Sequence, residues 1–261
     1  MTGPRLMLAN IKKADRIVIK VGTSLVTRGD GMVDTAHIQS ICRQTAQLLD
    51  TGLKVIIVSS GAVGLGMGKM GWRKRPRHLE KLQACAAIGQ SALTQTWQEH
   101  FQPYGIVVGQ ILLTRDDVAE RKRHVAIKNT IETLLNEGVV PILNENDSVS
   151  AEELEIQFGD NDILSALVAS LAKADILAIL TTVRGLLDLE DDRKLIEIVE
   201  TISPKIEALA RGTQSQTSVG GMAAKIEAAK VATRSGCCVF IGSGRQPGIL
   251  VDLVTGKPEG T

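Results

Sequence analysis

Aromatic side chains are scarce in this 261-residue chain: three Phe, two Trp and one Tyr make up 2% of it. So few rings leave single-stranded nucleic acid little to stack on. Neither charge is in excess, since 30 Lys and Arg stand against 29 Asp and Glu for a formal net charge of +1. That balance excludes bulk electrostatic attraction to nucleic acid or to an acidic membrane. No apolar run reaches the ~18 residues that a membrane helix requires. The N-terminal stretch MTGPRLMLANIKKADR has neither the continuous apolar core nor the small-residue cleavage site of a signal peptide. The four cysteines, Cys42, Cys85, Cys237 and Cys238, form no C-x-x-C, and the adjacent pair is poorly placed for an unstrained disulfide. A reducing cytosol is the simplest compartment for such a chain. The four histidines, His37, His78, His100 and His124, have neither metal-ligand spacing nor a nucleophile beside them, so all are assigned to surface or core. No G-x-x-x-x-G-K-[ST] occurs either, which removes the P-loop enzymes.

What is present is 44% hydrophobic residues and 25 glycines, enough for a large core joined by many tight turns. Short apolar runs alternate with helical patterns. Arg16 to Lys20 reads as a buried strand, and Ile38, Ile41, Cys42, Thr45, Leu48 and Leu49 mark one face of a helix that Gly52 stops. Further strands are expected at 54–59, 106–112, 139–143, 176–180 and 238–241, with helices near 79–98, 125–136, 163–171 and 221–234. Continuous rather than alternating apolar strands point to a mostly parallel sheet covered on both faces. The expected fold is α/β, a three-layer α/β/α sandwich forming a single domain over 1–261. A change in the chemistry of the turns near residue 172 divides it into an N-lobe and a C-lobe.

In open parallel sheets ligands sit beyond the carboxyl ends of the strands, so the turns there carry the candidates. In the first, Lys20-Val21-Gly22-Thr23-Ser24, a lysine closes an apolar strand, which is costly unless its ammonium meets an anion. The second runs from Ser59 and Ser60 through Gly61 to Gly68; its small residues leave amides for an anionic oxygen at a helix start. Gly66 to Gly71 satisfies G-x-G-x-x-G by letter, but it lies seven residues past the strand and runs into Arg73-Lys74-Arg75, so it is not read as a dinucleotide site. The basic run to His78 is read as a solvated loop. The third and fourth, Asn144-Glu145-Asn146-Asp147 and Gly159-Asp160-Asn161-Asp162, could converge on an amino acid's ammonium group or on a Mg²⁺-bound phosphate. Turn formation and helix capping use the same residue types. The fifth, Ser218 to Lys225, is a glycine turn opening a helix with a lysine one turn in, suited to cradling phosphate or simply to starting a helix.

Taken in order, K-x-G-T-S, S-S-G-A, Q-A-C-A-A-I-G-Q-S, N-E-N-D, F-G-D-N-D-x-L-S-A and G-G-M-x-x-K resemble the amino acid kinase family, over about Arg16 to Gly244. The match is closest to its members that phosphorylate glutamate. The resemblance implies ATP- and Mg²⁺-dependent transfer of the γ-phosphoryl group to the side-chain carboxylate of L-glutamate, the first step of proline biosynthesis. It implies that Lys20 sits on the phosphates, that Lys225 meets the transferring or leaving oxygens, and that Asp162 holds both ammonium groups. Gly22 and Gly61 would supply amides to the phosphoryl and acceptor oxygens. Ser60, Asp147 and Asn161, with Asp160 beside them, match glutamate-binding positions, which places glutamate in the N-lobe and nucleotide in the C-lobe. The nucleotide side would comprise Lys20, Thr181, Thr182, Val219, Gly220, Gly221, Met222, Ala223, Ala224 and Lys225, with no residue assigned as a direct metal ligand. Departures fall there: Thr181-Thr182 stands where the family has Thr-Asp, Leu187 to Asp191 replaces Tyr-x-x-Asp-Pro, and Ser218-Val219 replaces Gly-Thr. The resemblance further implies a cytoplasmic homodimer or homotetramer open to feedback by proline. Many bacterial relatives add a C-terminal PUA module, which the end at Thr261 leads us to expect is absent. A sibling kinase for another carboxylate, such as aspartate or N-acetylglutamate, and a non-catalytic glutamate or proline sensor are the competing readings.

Overall fold

The computed structural model describes residues 11, 13–149, 161–188, 191–212 and 221–261. Six parallel strands form one sheet: β1 (Arg16–Val21), β2 (Lys54–Ser59), β3 (Val108–Leu113), β4 (Val140–Glu145), β5 (Ile176–Thr181) and, last in the chain, Cys238–Ser243. Their spatial order is β3-β4-β2-β1-β5 followed by Cys238–Ser243. Ile17 of β1 pairs with Val55 on one side and Ile176 on the other, so β1 is the central strand from which the chain winds in both directions.

Alternation along the buried strands decides which helices lie where. Ile17, Ile19 and Val21 join a cluster with α2 (Thr35–Asp50) and α4 (Leu79–Phe101), through Ile38, Ile41, Leu93, Trp97 and Phe101. Short α1 (Thr23–Val26) and α3 (Ala62–Lys69) lie on this side too. Val18, Ile56 and Leu177 join the opposite cluster with α6 (Arg121–Asn136) and α7 (Asn161–Leu171). The three layers follow from apolar side chains leaving both faces of every central strand.

The structure extends the sequence-based elements. β4 runs two residues further than its apolar stretch, because Asn144 and Glu145 still pair with Leu112 and Leu113 of β3. α6 begins earlier, after a one-turn α5 (Arg115–Ala119) that Thr114 and Asp117 close with a capping box. A two-residue hairpin, β6 (Leu187–Asp188) with β7 (Lys194–Leu195), was not anticipated. Nor were α8 (Pro204–Gly212) and the final helix, Ile249–Thr255, which follows α9 (Met222–Arg234) and β8, the strand at Cys238–Ser243.

Glycines explain the misleading string at 66–71. A Cβ on Gly66 would overlap the carbonyl of Cys85, and one on Gly89 would overlap that of Ala62. α3 and α4 therefore touch backbone to backbone, so these glycines serve helix packing. Among the described residues no helix is long and apolar enough to cross a membrane.

Candidate active site

The carboxyl ends of β1, β2 and β4 meet the first turns of α7 and α9 at the place where strand order reverses about β1. Lys20, on the same face of β1 as Val18, is thereby aimed at α7. Its Nζ lies 2.6 Å from Oδ1 of Asp162, the second residue of α7, while Lys225 Nζ donates to Oδ2 at 3.0 Å. Exposure is 4% for Lys20, 0% for Asp162 and 5% for Lys225. Ammonium groups this buried require an anionic partner. Burial alone would raise the Asp162 carboxyl, but the two lysines outweigh it and hold the group below its usual range. This triad brings together three residues that the sequence separates widely, by 63 positions between Asp162 and Lys225.

Beside the triad is a polar row. Asn161 Nδ2 donates to Ser60 Oγ at 2.9 Å and to Asn144 Oδ1 at 2.7 Å. Asn144 Nδ2 donates to Gln90 Oε1 at 2.7 Å, and the indole of Trp97 donates to Ser59 Oγ at 3.0 Å. Gln90 and Trp97 stand two turns apart on α4, so one helix backs the whole row. A cavity of about 270 Å³ opens here, lined by Ala86, Gln90, Gln110, Glu145 and Asp147 among others. Burial pushes the Asp147 carboxyl up to about 6 against the pull of the Arg75 guanidinium. A group so placed is well suited to receive a cation.

Three helices at this edge begin on glycine with no capping side chain: α1 at Gly22, α3 at Gly61 and α9 at Gly221. By contrast α2, α5 and α6, away from the triad, are capped by Asp34, Thr114 and Glu120. Uncapped first turns leave amide donors for a ligand. Gly22 is an exception, since its N–H donates to Leu180 O at 3.3 Å and the amide expected to meet the reacting oxygens is engaged there. Gly61 adopts φ 118°, and a Cβ there would come 2.8 Å from Val26 Cγ1, so glycine alone suits the position.

Not every anticipated residue is part of this gathering. Asp160, Val219 and Gly220 lie outside the described residues. Met222, Ala223 and Ala224 form the first turn of α9 beneath Lys225, with Met222 buried in the core. Thr181 closes β5 and accepts from Gly244 N at 2.9 Å, while Thr182 is exposed just beyond it. Sequence reasoning named Ser59 and Asn144 only as members of the second and third turns, with no role of their own, and gave Trp97 none. Gln90 was visible only as part of the Q-A-C-A-A-I-G-Q-S string.

A profile of the amino acid kinase family matches residues 15–243, nearly the whole span just described. This chain belongs to the amino acid kinase family. Within the family it is 45% identical over 255 residues to the glutamate 5-kinase of Moorella thermoacetica, covering 96% of this chain and 67% of that one. It is 43% identical to the glutamate 5-kinase of Clostridium acetobutylicum, covering 96% and 95%. Two solved structures share the fold: carbamate kinase from Giardia lamblia bound to AMP-PNP (TM-score 0.65, 18% identity, covering 95% of this chain and 98% of that one) and isopentenyl phosphate kinase (0.63, 17%, 94% and 98%). The three-layer architecture expected from the strand pattern is thus the amino acid kinase fold.

Proposed function

We propose that this protein transfers the γ-phosphoryl group of ATP to the side-chain carboxylate of L-glutamate, forming L-glutamyl 5-phosphate. The observation that carries the reading is the pair of lysines clamped on Asp162 beside the Ser60-Asn161-Asn144 row. Identity of 41–48% to relatives named glutamate 5-kinase supports the choice of acceptor.

The donor set fits a nucleoside triphosphate. Lys20 and Lys225 offer ammonium groups, and the uncapped starts of α3 and α9 offer main-chain N–H groups. When bound, ATP with Mg²⁺ supplies the phosphoryl group and the counter-charge for its transfer. The carboxylate nucleophile is already ionised at neutral pH, so the site needs no general base. Catalysis then consists of holding charges in place. Lys20 steadies the phosphates, Lys225 meets charge developing on the transferring or leaving oxygens, and Asp162 fixes both. Gly22 and Gly61 bring main chain close to the reacting oxygens. Ser60, Asn161, Asp160 and Asp147 hold glutamate, the carboxylate of Asp147 facing its ammonium group.

Residues 1–171 are assigned to the glutamate side of this single domain and 172–261 to the nucleotide side, with Thr181, Thr182 and Val219 to Ala224 assigned to ATP binding. Proposed with it are a cytoplasmic location, a homodimer or homotetramer, and feedback by proline at the glutamate site. The test is incubation of the pure protein with ATP, Mg²⁺ and a panel of glutamate, aspartate and N-acetylglutamate, with and without proline, trapping acyl phosphate as hydroxamate. Glutamate-dependent product is expected. Product only with another acid, or none with any, overturns the assignment.

A further inference from the structure

Gln90 lies on α4, behind the reacting groups, and phosphoryl transfer as described gives it no task. Its side chain nevertheless begins a directed row of carboxamides. The Thr94 hydroxyl donates to the Gln90 main-chain carbonyl at 3.0 Å, and so accepts from Gln90 Nε2 at 3.4 Å. That orients the Gln90 amide with Oε1 toward Asn144 Nδ2, 2.7 Å away. Asn144 must then present Oδ1 to Asn161 Nδ2, also at 2.7 Å. At the far end the same nitrogen meets the main-chain carbonyl of Ser59 at 3.4 Å, an acceptor that cannot donate. Main-chain carbonyls at both ends thus impose one polarity on the row.

The consequence falls on Asn161. Its amide cannot turn over without setting oxygen against oxygen at Asn144 and at Ser59. Oδ1 is therefore held as an acceptor, buried in a residue only 8% exposed and without a hydrogen-bond partner among the described residues. A buried polar atom in that state is completed by a donor from outside. We infer that Gln90 is a positioning residue: acting through Asn144, it fixes Asn161 as an acceptor so that the site selects acids carrying an ammonium group over the same acids without one. The inference rests on the reading of this site as the one that takes glutamate.

The probe pair is L-glutamate and glutarate, the same diacid without its ammonium group. The quantity measured is the ratio of their kcat/KM values, with the KM for ATP as internal control. Gln90→Met keeps the volume and removes the acceptor, freeing Asn144 to rotate and leaving the polarity of Asn161 to the longer 3.4 Å contact with the Ser59 carbonyl. The ratio is expected to fall at least tenfold while the KM for ATP stays within about twofold, since a site built to pair a donor loses selectivity when that pairing is relaxed. Gln90→Glu still accepts from Asn144 Nδ2 and should keep the ratio near wild type. Thr94→Val, which removes only the acceptor for Nε2, should shift the ratio in the same direction as Gln90→Met, and it carries the test should that variant not fold. An active wild-type enzyme whose ratio is unmoved in Gln90→Met or in Thr94→Val overturns the inference alone, as does equal damage by Gln90→Glu. A wild type that turns over neither acid overturns the glutamate reading and the inference with it.

Discussion

Replacing Asp162 by Asn keeps the shape of the side chain and removes the one charge that two buried lysines share. At distances of 2.6 and 3.0 Å, each pair attracts by about 6 kcal/mol at an effective dielectric near 20. Most of that gross attraction offsets the cost of taking ammonium groups out of water, and breaking such a pair from one side leaves a net loss of ~3–5 kcal/mol. For a domain of this size the melting temperature should drop on the order of 10 °C. The sign with pH separates charge from packing. In the wild type the Asp162 carboxyl is depressed below 3.8, so its contribution is present above that value and disappears as pH falls through its folded pKa. Asp162→Asn lacks that contribution at every pH, so its stability gap to the wild type should close as pH falls into the acid range below 3.8. Denaturant unfolding of both proteins from neutral to strongly acid pH, with kcat measured at neutral pH, is the assay; kcat should fall by ~10² or more as the lysines lose their common anchor. A stability gap below about 0.5 kcal/mol, or one that does not change with pH, would refute the reasoning.

Lys225→Ala should lower kcat by orders of magnitude with little change in melting temperature, because Asp162 keeps Lys20 and the lost contact is made with transition-state charge; unchanged turnover removes that role. Glutamate kcat/KM should fall below about pH 6 as Asp147 gains a proton, and Asp147→Asn should give a lower, flatter profile with a raised KM for glutamate; an identical pH profile in the variant counts against the assignment. Gly66→Ala should leave little soluble protein, since its methyl group meets the Cys85 carbonyl, and a wild-type melting curve would show that α3 and α4 do not pack as described.

The layered fold was legible because continuous apolar runs report burial on both faces, and β1, β2 and β5 are apolar through their middles, with Arg16 and Lys54 opening the first two and Lys20, Ser59 and Thr181 near the carboxyl ends. Lys20 was legible for the converse reason, as a charge placed where an apolar residue belongs, while Asp162 and Lys225 were legible through the turns that open their helices and through the family resemblance. β4 was cut short in the sequence reading because Asn144 and Glu145 break the apolar run. They are buried all the same, Asn144 through the hydrogen bonds it exchanges with Gln90 and Asn161. Pattern alone cannot show that exchange, since the direction of a carboxamide depends on neighbours 54 and 17 positions away. The β6–β7 hairpin escaped because two-residue strands have no period. α8 did carry a signal, Ser203 before Pro204 with Ile206, Leu209 and Ala210 on one face, and was overlooked.

A sheet in which every strand points the same way also governs when the site can exist. Each strand must be reached by a crossover through a helix, so the groups that meet at one edge are spread along the whole chain. During synthesis Lys20 is made more than two hundred residues before Lys225. Until α9 docks, a strand end bearing a cation waits in a growing chain without its full set of neighbours. The contacts that finish the site are therefore among the most non-local in the molecule, which places its assembly late and slow on the folding path.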